Sequence, residues 1–312
     1  MTTFNGGLFL REQLESIYNQ SQQPDEVVVC DDGSTDNTIE ILEEYRQLKG
    51  LKYYINKPGL GVNRNFFKVI SLCTCDYVAL SDQDDVWLPN KIEITYNKLC
   101  ELDGEYPVVV SSQAYDVDKD LVMLNINQQQ FNKDTHEFFD TFLNNKSSQG
   151  CSLMFNKNAK DIVLRNYNKF VDNIYFDAYI AYTAALLGVK YNIGQRLMLY
   201  RHHQNNVIGK DLSKSSLSFT QHLRVQGRFR HFIMQQQIEQ SMMVYNLYRP
   251  QIKEKQIHTF FSNLAYIEKS KSKMKSYRVI CLMPELPIKR KIKIIISTTI
   301  IDILRFIMRI NS

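Results

Sequence analysis

The chain has 312 residues, 44% of them hydrophobic and 23% charged, with only 12 Gly and 7 Pro. This composition excludes a disordered or collagen-like chain and supplies a substantial core, in one large domain or two smaller ones. The net charge of +5 hides an asymmetry: residues 249–312 carry 14 Lys+Arg against 4 Asp+Glu, a net of +10, and the residues before them carry −5.

From the N-terminus, Leu10, Leu14 and Ile17 fall at helical spacing. Val27-Val28-Val29-Cys30 is a continuous apolar run, as in a parallel strand covered on both faces. Ser34, Thr35 and Asp36 offer caps for a helix carrying Ile41, Leu42 and Tyr45. A strand at 52–55, a helix at 62–72 and a strand at 76–80 follow. The next helix opens with Pro89, and Val108-Val109-Val110 is another buried-strand run. Strands alternating with helices predict an α/β layer with a mainly parallel sheet. The pattern loosens over 116–149, with a polar loop at 125–132 and a short helix. Then come a strand at 151–155, a helix at 176–187 and two strands at 190–193 and 196–200. Beyond Gly209 the chain turns helical and basic, which sets a boundary between 1–209 and 210–312.

The six cysteines (30, 73, 75, 100, 151, 281) are scattered and lack zinc spacing, which reads as reduced thiols in a cytosolic protein. The N-terminus has no signal-peptide pattern, and no uncharged apolar run reaches the roughly 18 residues of a membrane span.

Two stretches carry chemistry. In Val27–Thr38, VVVCDDGSTDNT, paired carboxylates end a buried strand, where open α/β sheets bind ligands. Asp31 and Asp32 are placed there to accept hydrogen bonds from a base or ribose; the same residues also suit a helix-capping loop. In Tyr77–Lys91, YVALSDQDDVWLPNK, a second apolar strand runs into Asp82, Asp84 and Asp85. Acids so crowded repel unless a cation sits among them, and oxygen ligands suit Mg²⁺ or Mn²⁺.

These two stretches, with NKPGLGVNRNF between them, resemble family-2 glycosyltransferases of the GT-A fold, and within them the bacterial rhamnosyltransferase-like group. The resemblance covers roughly 1–209. It implies a GT-A-type nucleotide-binding sheet flanked by helices, a UDP- or dTDP-sugar donor, a divalent cation (Mg²⁺ or Mn²⁺), and inverting transfer to a saccharide or lipid-linked acceptor in surface polysaccharide synthesis. By the same resemblance Thr3 touches the base, Asp31 or Asp32 binds it, and Arg64 lies near the donor. Asp82 and Asp84 form the Asp-x-Asp motif, with Asp84 the direct metal ligand. Asp177, in Phe176-Asp177-Ala178-Tyr179, matches the catalytic base, although the neighbouring aromatics of the group's pattern are replaced. Tyr200-Arg201-His202-His203-Gln204-Asn205-Asn206 matches a segment whose histidine, here His203, binds metal or steadies the leaving diphosphate, with Arg201 on the donor. In Gly150-Cys151 the glycine is read as admitting the acceptor and the thiol as passive packing.

The family has a buried strand ahead of the Thr-Tyr-Asn segment; here Met1 immediately precedes Thr2, so that strand is expected to be missing. Four cations in 287–293 followed by an interrupted apolar run predict a helix lying on an anionic membrane surface. Such a protein is cytoplasmic and peripheral on the inner face of the membrane, and it has no nucleic-acid partner. Competing readings are a catalytically inactive scaffold subunit and a nucleotidyltransferase. The latter needs a Gly-rich basic phosphate loop after the first strand, and a dehydrogenase needs Gly-x-Gly-x-x-Gly; the chain shows neither.

Overall fold

The computed structural model describes residues 1–124, 149–203 and 239–269. The chain divides into two compact units, Met1–Lys210 and Asp211–Ser312.

The first unit runs β1 (Thr2–Thr3), α1 (Leu10–Tyr18), β2 (Val28–Asp31), α2 (Thr38–Lys49), β3 (Lys52–Ile55), α3 (Val62–Leu72), β4 (Val78–Ala79), β5 (Val86–Trp87), α4 (Lys91–Leu102), β6 (Val108–Val117), β7 (Leu153–Phe155), α5 (Lys157–Asn166), α6 (Phe176–Leu187) and β8 (Val189–Arg201). The alternation of strand and helix is as the sequence predicts, but the sheet is not mainly parallel. The strands form two sheets. One is three-stranded and parallel, in the order β1-β2-β3; the other is five-stranded, in the order β4-β7-β6-β8-β5. In the second sheet only β6 and β8 run parallel, and the other pairings are antiparallel. The antiparallel pairs are β4 with β7, β7 with β6 and β5 with β8, and the six residues that join β4 to β5 link opposite edges of the sheet.

Other boundaries shift as well. The two strands expected over 190–200 are one strand, β8, which absorbs a register shift against β6 near Gln113. Pro89 lies outside α4, whose N-cap is Asn90; the Pro89 carbonyl instead accepts from Ser21 N at 2.7 Å. Thr2–Thr3 form a short strand in register with Cys30 and Asp31, and the Met1 ammonium donates to the Val28 carbonyl at 2.8 Å. The loop expected over 125–132, its neighbouring helix and the basic segment of 287–309 lie outside the described residues.

The core lies against the face of the second sheet that carries Val108, Val110, Met154 and Met198. Leu10, Leu14 and Ile17 of α1, with Ile92 and Leu99 of α4, bury against it. Elsewhere an aromatic layer forms where Phe66 stacks on Phe176 and Phe67 packs on Tyr167 and Tyr179. This layer fixes α3 against α6 and so sets where α6 begins.

The described part of the second unit is a helical hairpin. A helix over 239–248 turns at Arg249–Gln251 into α7 (Lys255–Lys269). Tyr245 stacks on Phe261 with ring centroids 4.1 Å apart, and its hydroxyl bonds His258 Nδ1 at 2.8 Å. Among the described residues no helix is long and apolar enough to cross a membrane.

The join between α6 and β8 gives a test of the packing. A Cβ on Gly188 would lie 2.1 Å from the Pro107 carbonyl oxygen, which accepts from Val189 N at 2.9 Å. Gly188→Ala is therefore expected to cost about 1–3 kcal/mol of stability, read as a lower denaturant midpoint with an unchanged slope.

Candidate active site

Three places on the chain converge: the Leu80–Asp85 segment between β4 and β5, the end of β8, and the joint between Gly150–Cys151 and the start of α6. β4 and β5 are the two edges of the five-stranded sheet, so the linking segment passes across the ends of the strands between them. It is tied down along its length. Leu80 N donates to Leu153 O at 2.9 Å, Gln13 Nε2 to Ser81 Oγ at 2.7 Å, and Trp87 N to Ser16 Oγ at 3.0 Å.

The sequence-predicted metal residues meet here. His203 Nε2 lies 2.8 Å from Asp84 Oδ2, both side chains largely buried. Two ligands at right angles on a cation, each about 2.1 Å away, sit about 3 Å apart, so this pair has the spacing of neighbouring ligands in one shell. Asp82 belongs to a second, adjoining group in which its carboxylate, that of Asp85 and the Cys151 thiol place their ligand atoms within 4.8 Å of one another. Burial first, then the charges of Asp84 and Asp177, pushes the Asp82 carboxyl up. Asp85 is raised by burial and then by Asp82 and Asp84, and burial also raises the Cys151 thiol well above its ordinary value. A protonated thiol is a poor ligand for Mg²⁺ or Mn²⁺, so carboxylate oxygens and imidazole are the donors that fit such a cation.

Asp177 is the second residue of α6. Its Oδ1 accepts from Ala178 N at 2.7 Å. Burial raises its pKa to about 6, against the lowering effect of backbone N–H groups of Ala178, Asp177 itself and Gly150. Asp177 stands in the first turn of α6, as the helix-start reading has it, and its charge reaches Asp82. Gly150 does not leave room for an acceptor: a Cβ there would meet the Phe176 ring at 2.3 Å. Cys151 is buried in the core, as the packing reading has it, and its thiol also borders Asp82 and Asp85.

Several expected donor contacts are filled internally. Thr3 is buried, and its hydroxyl donates to Asp31 Oδ2 at 2.8 Å. Asp31 is fully buried and accepts further from Gly33 N, Ser34 N and Ser34 Oγ, so these two residues build the turn after β2 instead of facing a base. Asp32 accepts from Asn56 Nδ2 at 2.9 Å, Leu60 N at 2.7 Å and Gly61 N at 2.8 Å. Of the roughly four acceptor directions of a carboxylate, one is left. Arg64 is half-exposed and paired with Asp172 at 2.8 Å. Arg201 is buried; it donates to Asp84 O at 2.8 Å, to Lys119 O at 2.5 Å and to Glu12, and its guanidinium lies 4.6 Å from the Phe9 ring centroid. It is a strut under the acidic segment, not an open donor ligand.

Sequence reasoning missed Glu12, Phe9, Gln83 and Lys91. Lys91 is buried over the Trp87 ring at 4.6 Å; burial lowers its pKa to about 8, and the neighbouring Cys151 and Asp85 oppose that shift. One signal was available: Gln13 interrupts the apolar stripe of α1, and its buried amide finds Ser81.

A family model described as glycosyl transferase family 2 matches residues 1–163, just over half of the chain. The chain belongs to glycosyl transferase family 2. As a family-2 glycosyltransferase it has curated relatives. The dTDP-rhamnosyl transferase RfbG of Shigella flexneri is 30% identical over 226 residues, covering 68% of this chain and 75% of that one. Glycosyltransferase GlyG of Streptococcus pneumoniae serotype 4 is 32% identical over 119 residues, 37% of this chain and 38% of that one. Among solved structures, S. aureus TarS 1–349 in complex with UDP aligns with a TM-score of 0.56 at 15% identity, covering 89% of this chain and 76% of that one. TarS 1–349 with UDP-GlcNAc gives 0.53 at 16%, covering 92% and 80%. At such identities the likeness shows the fold: a glycosyltransferase α/β architecture with sheets flanked by helices.

The raised carboxylates have a consequence for stability. The folded state of each keeps its proton to higher pH than the unfolded state, so the native form binds more protons and stability falls as pH rises through the interval. For Asp177 that interval runs from its ordinary value to about 6, and Asp82 and Asp85 act in the same direction. The metal-free protein is expected to lose thermal stability between about pH 4.5 and 6.5. Added Mn²⁺ is expected to raise the melting temperature more at the upper end. Calorimetric scans across that range check both signs.

Proposed function

We propose that this family-2 glycosyltransferase transfers a sugar, with inversion, from a UDP- or dTDP-sugar to a saccharide or lipid-linked acceptor in bacterial surface polysaccharide synthesis. The observation that carries this reading is the pairing of Asp84 with His203 at 2.8 Å beside Asp82, with Asp177 close enough to raise the Asp82 carboxyl. The relative named as a dTDP-rhamnosyl transferase supports a dTDP donor, and the fold shared with UDP-bound TarS supports UDP.

Asp84, His203 and Asp82 would hold the Mg²⁺ or Mn²⁺ ion. When bound there, the cation would supply positive charge to offset the negative charge that builds on the leaving diphosphate. The remaining acceptor direction of Asp32 takes an imide N–H of the base, and Arg64 swings from Asp172 toward the donor. Asp177 accepts the proton of the acceptor hydroxyl as that oxygen attacks the anomeric carbon. Attack opposite to the leaving diphosphate inverts the anomeric configuration. A carboxylate with a pKa near 6 stays ionised at neutral pH yet is a stronger base than an exposed aspartate. Arg201 keeps the Asp84 backbone in place from beneath. The basic 287–309 segment brings the enzyme to the inner face of the membrane, where a lipid-linked acceptor lies.

Two outcomes are expected. Asp84→Ala and His203→Ala each abolish the Mn²⁺-dependent part of UDP or dTDP binding in calorimetric titration; unchanged affinity in both would refute the ligand assignment. Asp177→Asn lowers kcat by about 10²–10⁴ with donor affinity nearly kept. In the parent, kcat/KM rises with pH along an acid limb near the Asp177 pKa of about 6, and the limb is lost in Asp177→Asn. A product of retained configuration would overturn the single-displacement reading.

A further inference from the structure

Gln83 stands between the two carboxylates of the Asp82–Asp84 motif, and its side chain is committed to the backbone of Phe4. Its Oε1 accepts from Phe4 N at 2.8 Å and its Nε2 donates to Phe4 O at 3.1 Å. Both backbone groups of one residue are thus met by one amide, a β-bridge made by a side chain. Backbone pairing does not join these segments: β1 belongs to the three-stranded sheet, and Leu80–Asp85 spans the five-stranded one. The contact is also close. A Cβ on Gly6 would fall 2.2 Å from Gln83 Oε1, so any larger residue at position 6 has to push the Gln83 amide aside.

The far side of this clamp is itself fixed to the end of β2. Asn5 N donates to Ser34 Oγ at 2.8 Å, Thr35 N to Asn5 Oδ1 at 2.9 Å, and Gly6 N to Thr38 Oγ1 at 2.9 Å. Gln83 therefore connects the Asp31–Ser34 turn, through residues 4–6, directly to the acid-bearing segment. Phe4 is more than half exposed, so the bond pair is not imposed by burial of that residue.

We infer that Gln83 is a positioning residue that fixes the separation between the nucleoside and the diphosphate–cation halves of the donor site. The inference rests on the donor reading given under Proposed function. A nucleoside diphosphate is held at two ends. Its affinity exceeds that of either end alone only when the two subsites are spaced to be filled together.

The test uses the full chain and three titrations: Mn²⁺ alone, UDP (or dTDP) in EDTA, and the same nucleotide with saturating Mn²⁺. Gln83→Leu removes both bonds at similar size, and Gly6→Ala forces the clamp apart from the other side. For each variant the first two affinities are expected to stay within about twofold of the parent, and the third to weaken about tenfold, the value of one or two ordinary hydrogen bonds. A thermal scan of each variant shows whether the fold is kept. An unchanged third affinity overturns the inference. So does a matched loss in all three, which marks Gln83 as a support of the loop only. A parent chain that binds neither UDP nor dTDP with Mn²⁺ overturns the donor reading itself, and this clamp with it.

Discussion

The first unit depends on one short stretch of chain, Leu80–Asp85, having to reach from one edge of a five-stranded sheet to the other. Four strand spacings come to about 19 Å. Seven Cα steps from Ala79 to Val86 give at most about 25 Å. So little slack means that the acids on this stretch are placed by the sheet, and a shift of either edge strand moves them. The surrounding bonds follow from that constraint. Gln13 and Ser16 of α1 hold its two ends, and Arg201 holds its middle from the end of β8. The site is thus assembled from the ends of strands far apart in sequence but adjacent in the sheet.

The same stretch concentrates charge where water is scarce. Burial raises the carboxyls of Asp82 and Asp85, and neighbouring charges add to it: those of Asp84 and Asp177 on Asp82, and those of Asp82 and Asp84 on Asp85. Arg201 lies beneath them, yet its guanidinium is taken by two carbonyls and Glu12. Lys91 is buried beside the cluster but is itself pressed toward neutrality. Of the described cations only the Met1 ammonium is left to act on Asp82, as a minor effect, so the cluster is one that a divalent cation would suit. Structure and reaction share one electrostatic requirement.

The sequence made the acids and most of the helices legible because strand-to-acid transitions and helical spacing are local signals. The 62–72 and 176–187 helices and the 52–55 strand match the structure end to end. Sheet topology was not legible. Short antiparallel edge strands such as Val78–Ala79 and Val86–Trp87 carry almost no periodicity, and alternation alone suggested parallel pairing. Side-chain assignments failed where an internal partner outcompeted a ligand. Asp31 looks like a base acceptor in sequence, but the turn that follows it supplies three donors at once. Arg201 looks like an open cation, but its partners Glu12 and Lys119 come from elements that no local motif connects to it. Asp84 and His203 were legible as a pair only through the family resemblance, since 119 residues separate them.

The chain contains a single tryptophan, and it stands two residues beyond Asp85. Trp87 is buried in β5 with the Lys91 ammonium 4.6 Å from its ring centroid, and Lys91 in turn feels the charge of Asp85. An indole under a nearby cation has its excited state shifted by that cation's field. Any event that protonates, deprotonates or neutralises the acidic cluster therefore reaches the only strong fluorophore in the molecule. The fold has placed an optical reporter next to its own charge centre, without a label and without a mutation.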